Sequence, residues 1–286
     1  MSAQFVNENN KLPDVQKTQE TRKIYLRHVG IKDVVVPVTY IFNGEVNSSV
    51  ANMMLAVDLS ADKRAIHMSR LVESMNEWNR VIDDKSIYAL LDEILDRLEG
   101  FNAYTEMDFT YFIMKKAPVS KNMGRMNYQC RIKASLTKSR PAQFEIDVKV
   151  PITSVCPCSK SISKYGAHNQ RGLVSVALKN TDVEAIPDVI RRVEESASFQ
   201  LYSLLKRVDE KYVTEHAYEN AKFVEDIVRD VTINLQKNNR YSDFTVNVEN
   251  YESIHNHNAY AVMVSRDLAE AVSYTHLRAH ETSLHL

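Results

Sequence analysis

The sequence predicts an α+β fold with antiparallel sheets and paired helices on one face. Stretches in which apolar and polar residues alternate come in pairs, and segments with helical spacing separate those pairs. The order strand, strand, helix, helix, strand, strand occurs once in each half of the chain. Neighbouring strands joined by short turns are expected to pair antiparallel. The helices between the strand pairs are expected to pack on a common face of the sheet.

The first half contains four predicted strands with two helices between the second and the third. The strands are predicted at residues 33–42, 46–59, 103–117 and 128–139, and the helices at residues 67–78 and 86–100. The turn signal Asn43-Gly44 predicts a hairpin between the first two strands. Ser86 is the expected cap of the second helix, and Gly100 is its expected stop.

The second half repeats this order without a residue-level repeat. Strands are predicted at residues 142–152, 172–180, 243–253 and 258–266, and helices at residues 183–210, with a proline interruption, and 217–238. The sequence therefore predicts four segments: an arm at residues 1–30, modules at 31–140 and 141–272, and a tail at 273–286 that resembles non-native sequence. The module boundary is expected to lie inside one continuous sheet. Open sheet edges predict an oligomer that closes the edges into a barrel.

The composition excludes several classes of function. Formal net charge is −1, with 36 basic and 37 acidic residues, so neither a nucleic acid nor an anionic membrane is an expected partner. Nothing approaches the ~18 apolar residues of a membrane span, and the polar N-terminus lacks the core of a secretory signal. These features predict a cytoplasmic protein. With six glycines and no G-x-x-x-x-G-K, a P-loop is not expected.

One loop, residues 152–172, concentrates residues that suit metal chemistry. It contains Cys156, Cys158 and His168, whereas the third cysteine, Cys130, lies in a strand-like run and is expected to pack as a small hydrophobe. Only three cysteines exist, so a closed four-cysteine zinc site is excluded, and an open site with one thiolate plus nitrogen or oxygen ligands is left. A packed or redox-sensing cysteine pair is the alternative.

Histidines and carboxylates elsewhere could complete such a site. His255 and His257 are two positions apart, so in an extended segment they face the same side; a solvated loop is the alternative. Six acidic residues cluster in the segment 209–226: Asp209, Glu210, Glu215, Glu219, Glu225 and Asp226. Most are expected on a solvated helix face, and spacing alone does not identify a ligand among them.

Three basic side chains accompany the cysteine loop. Lys160, Lys164 and Arg171 would form a small cationic patch suited to a phosphate-bearing small molecule. Ordinary solvated surface charge explains their positions equally well.

Together these stretches resemble a known enzyme family. Residues 151–172, 209–231 and 252–261 are similar to GTP cyclohydrolase I of the type IB family, and the likeness extends from residue 12 to 272. The resemblance implies a bimodular tunnelling fold and a homotetramer with active sites at subunit interfaces. It also implies conversion of GTP and water to 7,8-dihydroneopterin triphosphate and formate, the first step of tetrahydrofolate synthesis, with a divalent metal such as zinc or manganese.

The resemblance also implies residue roles. Cys156 matches the catalytic, metal-binding cysteine, and His168 and Glu210 match metal ligands. Glu225 matches the glutamate that anchors the purine edge. His255 is an expected ligand and His257 an expected proton donor, while the role of Cys158 stays open.

Two departures from the family pattern leave the expected ligands in place. Ala221 stands where the family usually has proline, and His216, where arginine is common, is expected at the surface. A related tunnelling-fold enzyme acting on another pterin or deazapurine is the alternative function, and a non-enzymatic metal-binding protein is a third.

Overall fold

The structure is a computed structural model that describes residues 14–268. Nine strands form one antiparallel sheet: Leu26–Phe42 (β1), Glu45–Leu59 (β2), Asn102–Lys116 (β3), Met123–Thr137 (β4), Gln143–Val155 (β5), Asn169–Lys179 (β6), Phe199–Gln200 (β7), Asp243–Asn250 (β8) and Ala259–Val264 (β9). Six α-helices accompany it: Met68–Glu77 (α1), Asp84–Leu98 (α2), Pro157–Ile162 (α3), Ala185–Ser196 (α4), Arg207–Glu219 (α5) and Val224–Gln236 (α6). None of these described helices is long and apolar enough to cross a membrane.

The sheet runs continuously through both halves of the chain. Its order is β1-β2-β3-β4-β5-β6-β8-β9, and the short β7 pairs with β5 outside this path. The expected boundary between the halves is the β4–β5 turn, and these two strands pair from Gln129 opposite Lys149 to Ser135 opposite Gln143. The prediction of one continuous sheet is therefore confirmed. The division into two modules stays a prediction.

The core lies between the sheet and the helices because the strands alternate in burial. In β4, alternate side chains from Met126 to Leu136 are buried and their neighbours are more exposed. Cys130 is one of these core residues, as predicted. Helices α1 and α2 cover the first four strands, and α4 and α6 pack on the later strands. The α+β class predicted from the sequence is therefore confirmed.

Four element predictions need correction. Strand β1 begins at Leu26, so residues 26–30 belong to the sheet rather than to the arm. The cap of α2 is Asp83, whose side chain accepts from the Ser86 backbone N–H at 2.7 Å, so Ser86 lies inside the helix. The short helix α3 was not predicted. The tail at 273–286 lies outside the described residues, as do residues 1–13 of the arm.

The fourth correction concerns the predicted helices at residues 183–210 and 217–238. The first divides into α4 and α5, because Phe199 and Gln200 pair with β5 and Ser198 Oγ accepts from Val155 N at 3.3 Å. The second divides at residues 220–223, where Asn220 Nδ2 donates to two backbone carbonyls at 3.0 Å. Contacts distant in sequence therefore override local helical periodicity.

Truncation of a core leucine tests this packing. Leu91 in α2 is fully buried against the sheet. We expect Leu91→Ala to lower the free energy of unfolding by about 2–5 kcal/mol, because the substitution removes buried methyl groups and leaves a cavity. Urea denaturation measures this loss. Tyr88→Ala, at a position on the same helix that is 42% exposed, serves as the control, and an equal loss in both variants would contradict the packing.

Candidate active site

The β5–β6 connection brings Cys156 and His168 together. The Cys156 backbone N–H donates to His168 O at 3.2 Å, directly beyond the pair Val155 and Asn169 that ends the ladder. The His168 N–H in turn donates to Ser159 Oγ at 3.2 Å. Cys156 is the N-cap of α3. Its Sγ accepts a hydrogen bond from the Ser159 backbone N–H, with 3.4 Å between the sulfur and the nitrogen. This β5–β6 neck, residues 155–156 and 168–169, therefore places the backbones of the two predicted ligands Cys156 and His168 opposite each other.

The His168 ring is oriented by neighbours on one side. Its Nδ1 lies 2.9 Å from Gln170 Oε1 and 3.4 Å from Ser253 Oγ. Glu252 Oε2 lies 4.0 Å from the same nitrogen. When Nδ1 carries the proton and donates to Gln170, Nε2 keeps a lone pair for a metal, which is the usual arrangement of a ligating histidine. Only residue 170 of these three lies in the predicted loop, and the other two were missed because they come from a distant segment.

Pairing of β6 with β8 brings that distant segment to the loop. The Tyr251 backbone N–H donates to Arg171 O at 3.0 Å, just beyond the pair Gly172 and Asn250. A Cβ at residue 172 would lie 2.7 Å from Asn250 Oδ1, so glycine permits the close approach of these strands. The segment 251–258, which carries the His-x-His motif, therefore starts beside the cysteine loop.

The rings of His255 and His257 face the same side, as their spacing predicts. Their centroids are 5.0 Å apart with an interplanar angle of 17°, and both side chains are exposed. The solvated-loop alternative correctly describes their exposure.

The predicted carboxylates lie in the first turns of two helices. Glu210 is exposed in α5, and Glu225 is exposed in α6. The segment before α6 is tied to the end of β5, because the Lys222 N–H donates to Val155 O at 3.1 Å and Ser154 Oγ donates to Lys222 O at 3.2 Å. Glu225 therefore lies in the first turn of a helix whose start is fixed next to Cys156.

Asp209 departs from the solvated helix face expected for most of these acids. Its side chain is fully buried. Burial alone would raise the pKa of its carboxyl, but hydrogen bonds from Ser120, Lys206 and Val119 outweigh burial and hold that pKa well below its usual range.

His216 also differs from its expected surface position. Its ring is half-buried and stacks on Tyr212 with centroids 3.7 Å apart, and its Nδ1 lies 2.8 Å from Tyr212 O. A packing role within α5 accounts for this histidine.

The three basic side chains have different surroundings. Lys160 Nζ donates to the carbonyls of Tyr218 and Glu219 at the end of α5, and it also lies 4.6 Å from the centroid of the Tyr218 ring. Lys164 is exposed beside the Tyr165 ring, and Arg171 is exposed on β6. The side chain of Lys160 is therefore engaged at a helix C-terminus, whereas Lys164 and Arg171 present charge to solvent. A phosphate-binding role for all three stays a prediction.

The predicted ligands supply suitable donors but are spread over several elements. A thiolate, imidazoles and a carboxylate match the ligand preferences of zinc. Within residues 14–268, no group of three or more His, Cys, Asp or Glu side chains is arranged to hold a metal ion. Cys156 and His168 are adjacent, while Glu210 and His255 lie on α5 and on the loop before β9.

Comparison with solved structures gives distant likenesses. A uricase from Arthrobacter globiformis aligns with a TM-score of 0.45 and 8% identity, over 83% of this chain and 92% of that chain. A hyper-thermostable mutant uricase aligns with a TM-score of 0.48 and 7% identity, over 84% of this chain and 92% of that chain.

Comparison with known sequences is much closer. Curated proteins named GTP cyclohydrolase FolE2 are similar along most of the chain. The protein from Thermosipho africanus is 46% identical over 253 residues, covering 88% of this chain and 97% of that protein. The protein from Nitrosococcus oceani is 46% identical over 257 residues, covering 90% and 96%. The family model described as type I GTP cyclohydrolase folE2 matches residues 12–261, so this chain belongs to that family.

Proposed function

We infer that this chain is a GTP cyclohydrolase, a hydrolase that converts GTP and water to 7,8-dihydroneopterin triphosphate and formate in folate biosynthesis. Family membership across residues 12–261 carries this inference. The adjacency of Cys156 and His168 at the β5–β6 neck supports it, because these are the residues that match the family's reactive centre.

The chain's own residues have separable roles in this reaction. The Glu225 carboxylate would accept hydrogen bonds from guanine N1–H and the 2-amino group, and so fix the ring. Opening of the imidazole ring and release of formate need proton transfers, which Cys156 and His257 would mediate. Lys164 and Arg171 would contact the triphosphate, with Lys160 at the end of the same patch.

A divalent cation fits the donor set. Cys156, His168, Glu210 and His255 would hold zinc or manganese, and the thiolate favours zinc. When bound, the ion would lower the pKa of water at the site and act as a Lewis acid. The ring-nitrogen partners at His168 Nδ1 support its use of Nε2 as a ligand.

We also propose that the fold is the bimodular tunnelling fold and that the chain assembles into a homotetramer with interfacial sites. The sheet order leaves β1 and β9 as the two ends of the path among the described strands. Tyr260 and Val262 on β9, and Val35 on β1, expose apolar side chains near these edges. Edge pairing between copies would close a barrel and cover them. It would also bring ligands together that one chain leaves apart.

Product formation after metal removal and restoration tests the function. Purified chain stripped with a chelator should not consume GTP, and adding zinc or manganese should restore formate release and a pterin that fluoresces after oxidation. Dihydroneopterin derivatives, offered in parallel, test the alternative substrate class. Tetrameric, metal-loaded protein that leaves GTP unchanged would refute the proposal.

A further inference from the structure

The end of the β3–β4 hairpin contacts the segment that leads into α5. Lys115 Nζ donates to Leu201 O at 2.7 Å and to Glu194 Oε1 at 2.8 Å, with both charged side chains about one-tenth exposed (11% and 10%). On the neighbouring strand, a Cβ added to Gly124 would lie 2.5 Å from Ser203 Oγ. A strand of the first half therefore fits closely against residues 201–203 of the second half.

The hairpin turn adds a buried carboxylate clamp. Asp209 Oδ1 accepts from the backbone N–H groups of Val119 and Ser120, both at 2.8 Å. Its Oδ2 accepts from Ser120 Oγ at 2.6 Å and from the Lys206 N–H at 2.9 Å. One side chain thus ties the turn of the first half to the first turn of α5.

This clamp determines where the next residue points. Successive residues of an α-helix are about 100° apart around the axis, since one turn takes 3.6 residues. Asp209 is fully buried against the hairpin turn, and Glu210 is exposed on a different side. We propose that Asp209, held by the β3–β4 turn, is the positioning residue for Glu210. This inference rests on the proposed function, in which Glu210 is a metal ligand.

A second clamp of the same kind provides a matched control. Asp58 Oδ1 accepts from the N–H groups of Phe101 at 2.9 Å and Asn102 at 2.8 Å. Its Oδ2 accepts from Asn102 Nδ2 at 2.8 Å and from Tyr25 OH at 3.3 Å. This clamp closes the α2–β3 connection onto β2 in the first half, and its partners include none of the proposed site residues. The two carboxylates therefore have the same chemistry but different neighbours.

Zinc affinity of the full chain, measured by chelator competition, separates positioning from stability. In Asp209→Asn, the amide NH₂ would replace an acceptor oxygen and face the donors of Ser120 and Lys206, which weakens the clamp. We therefore expect zinc affinity to fall about 10-fold, as for other groups that orient a ligand. Asp58→Asn should lower the melting temperature of the metal-free protein to a similar extent while keeping wild-type zinc affinity. Glu210→Ala should lose more affinity than Asp209→Asn. If Asp209→Asn does not fold, Ser120→Ala, which removes only the hydroxyl donor, should weaken zinc binding about 3-fold.

Two results would overturn the inference. One is equal zinc affinity in the two asparagine variants, or in Ser120→Ala and wild type when Asp209→Asn does not fold. The other is wild-type affinity in Glu210→Ala. GTP turnover is measured separately on the wild type. Absence of turnover with the expected affinity pattern would count against the proposed function and still support the positioning role.

Discussion

Replacing Cys156 with alanine is expected to abolish GTP turnover, with kcat at least about 1,000-fold lower, in the range expected when a group that transfers protons is lost. The substitution removes the thiol of the residue whose backbone N–H donates to His168 O at the β5–β6 neck. It also removes a proposed metal ligand, so metal content should fall together with activity. Steady-state kinetics and metal analysis on the same preparation measure both effects.

The other two cysteines make this prediction specific. Cys130→Ala changes a buried core thiol in the middle of β4 and should keep turnover if the protein folds. Cys158 is exposed two positions after Cys156. The variant Cys158→Ala tests whether the second thiol of the pair contributes to turnover. Wild-type turnover in Cys156→Ala would contradict the assignment of the reactive cysteine.

Replacing Glu225 with alanine should raise the KM for GTP about 100-fold, with a smaller change in kcat. The carboxylate is expected to accept two hydrogen bonds from the guanine edge, and a hydrogen bond to a charged group contributes about 1.5–3 kcal/mol. A triphosphate whose base is hypoxanthine lacks the 2-amino group. Wild type should therefore prefer GTP over that analogue, and Glu225→Ala should lose most of the preference.

A surface acid gives the control for this loss. Glu215 is exposed in α5 and pairs with Lys211 at 2.6 Å, an i,i+4 pair of the kind that contributes little to stability. Glu215→Ala should keep both the KM and the base preference. Unchanged discrimination between the two bases in Glu225→Ala would show that the carboxylate does not recognise guanine.

The sequence predicts those features of the fold that depend on local periodicity. The first hairpin, the α1–α2 pair and the strand pairs that flank them follow from alternation and helical spacing. The break between α4 and α5 does not follow from local periodicity, because residues 197–206 have apolar residues at helical spacing. It is pairing of Phe199 and Gln200 with β5 that keeps them extended.

The candidate site shows the same division. The rings of His255 and His257 lie on the same side, as predicted from their spacing of two, although both residues lie in a bend and not in the extended segment that the prediction assumed. The partners of His168 at Glu252 and Ser253 depend on the pairing of β6 with β8, which no local pattern encodes. Asp209 and Glu210 are neighbouring acids in the sequence, yet only the packed hairpin makes one a buried clamp and leaves the other exposed.

Zinc K-edge X-ray absorption on the zinc-loaded protein tests the site assignment most directly. With Cys156 as the single thiolate ligand, the spectrum should contain one sulfur at about 2.3 Å and nitrogen or oxygen ligands at about 2.0–2.2 Å. The sulfur should disappear in Cys156→Ala and persist in Cys158→Ala. A wild-type spectrum without sulfur, or a sulfur that persists in Cys156→Ala, would contradict a reactive centre at the Cys156–His168 neck.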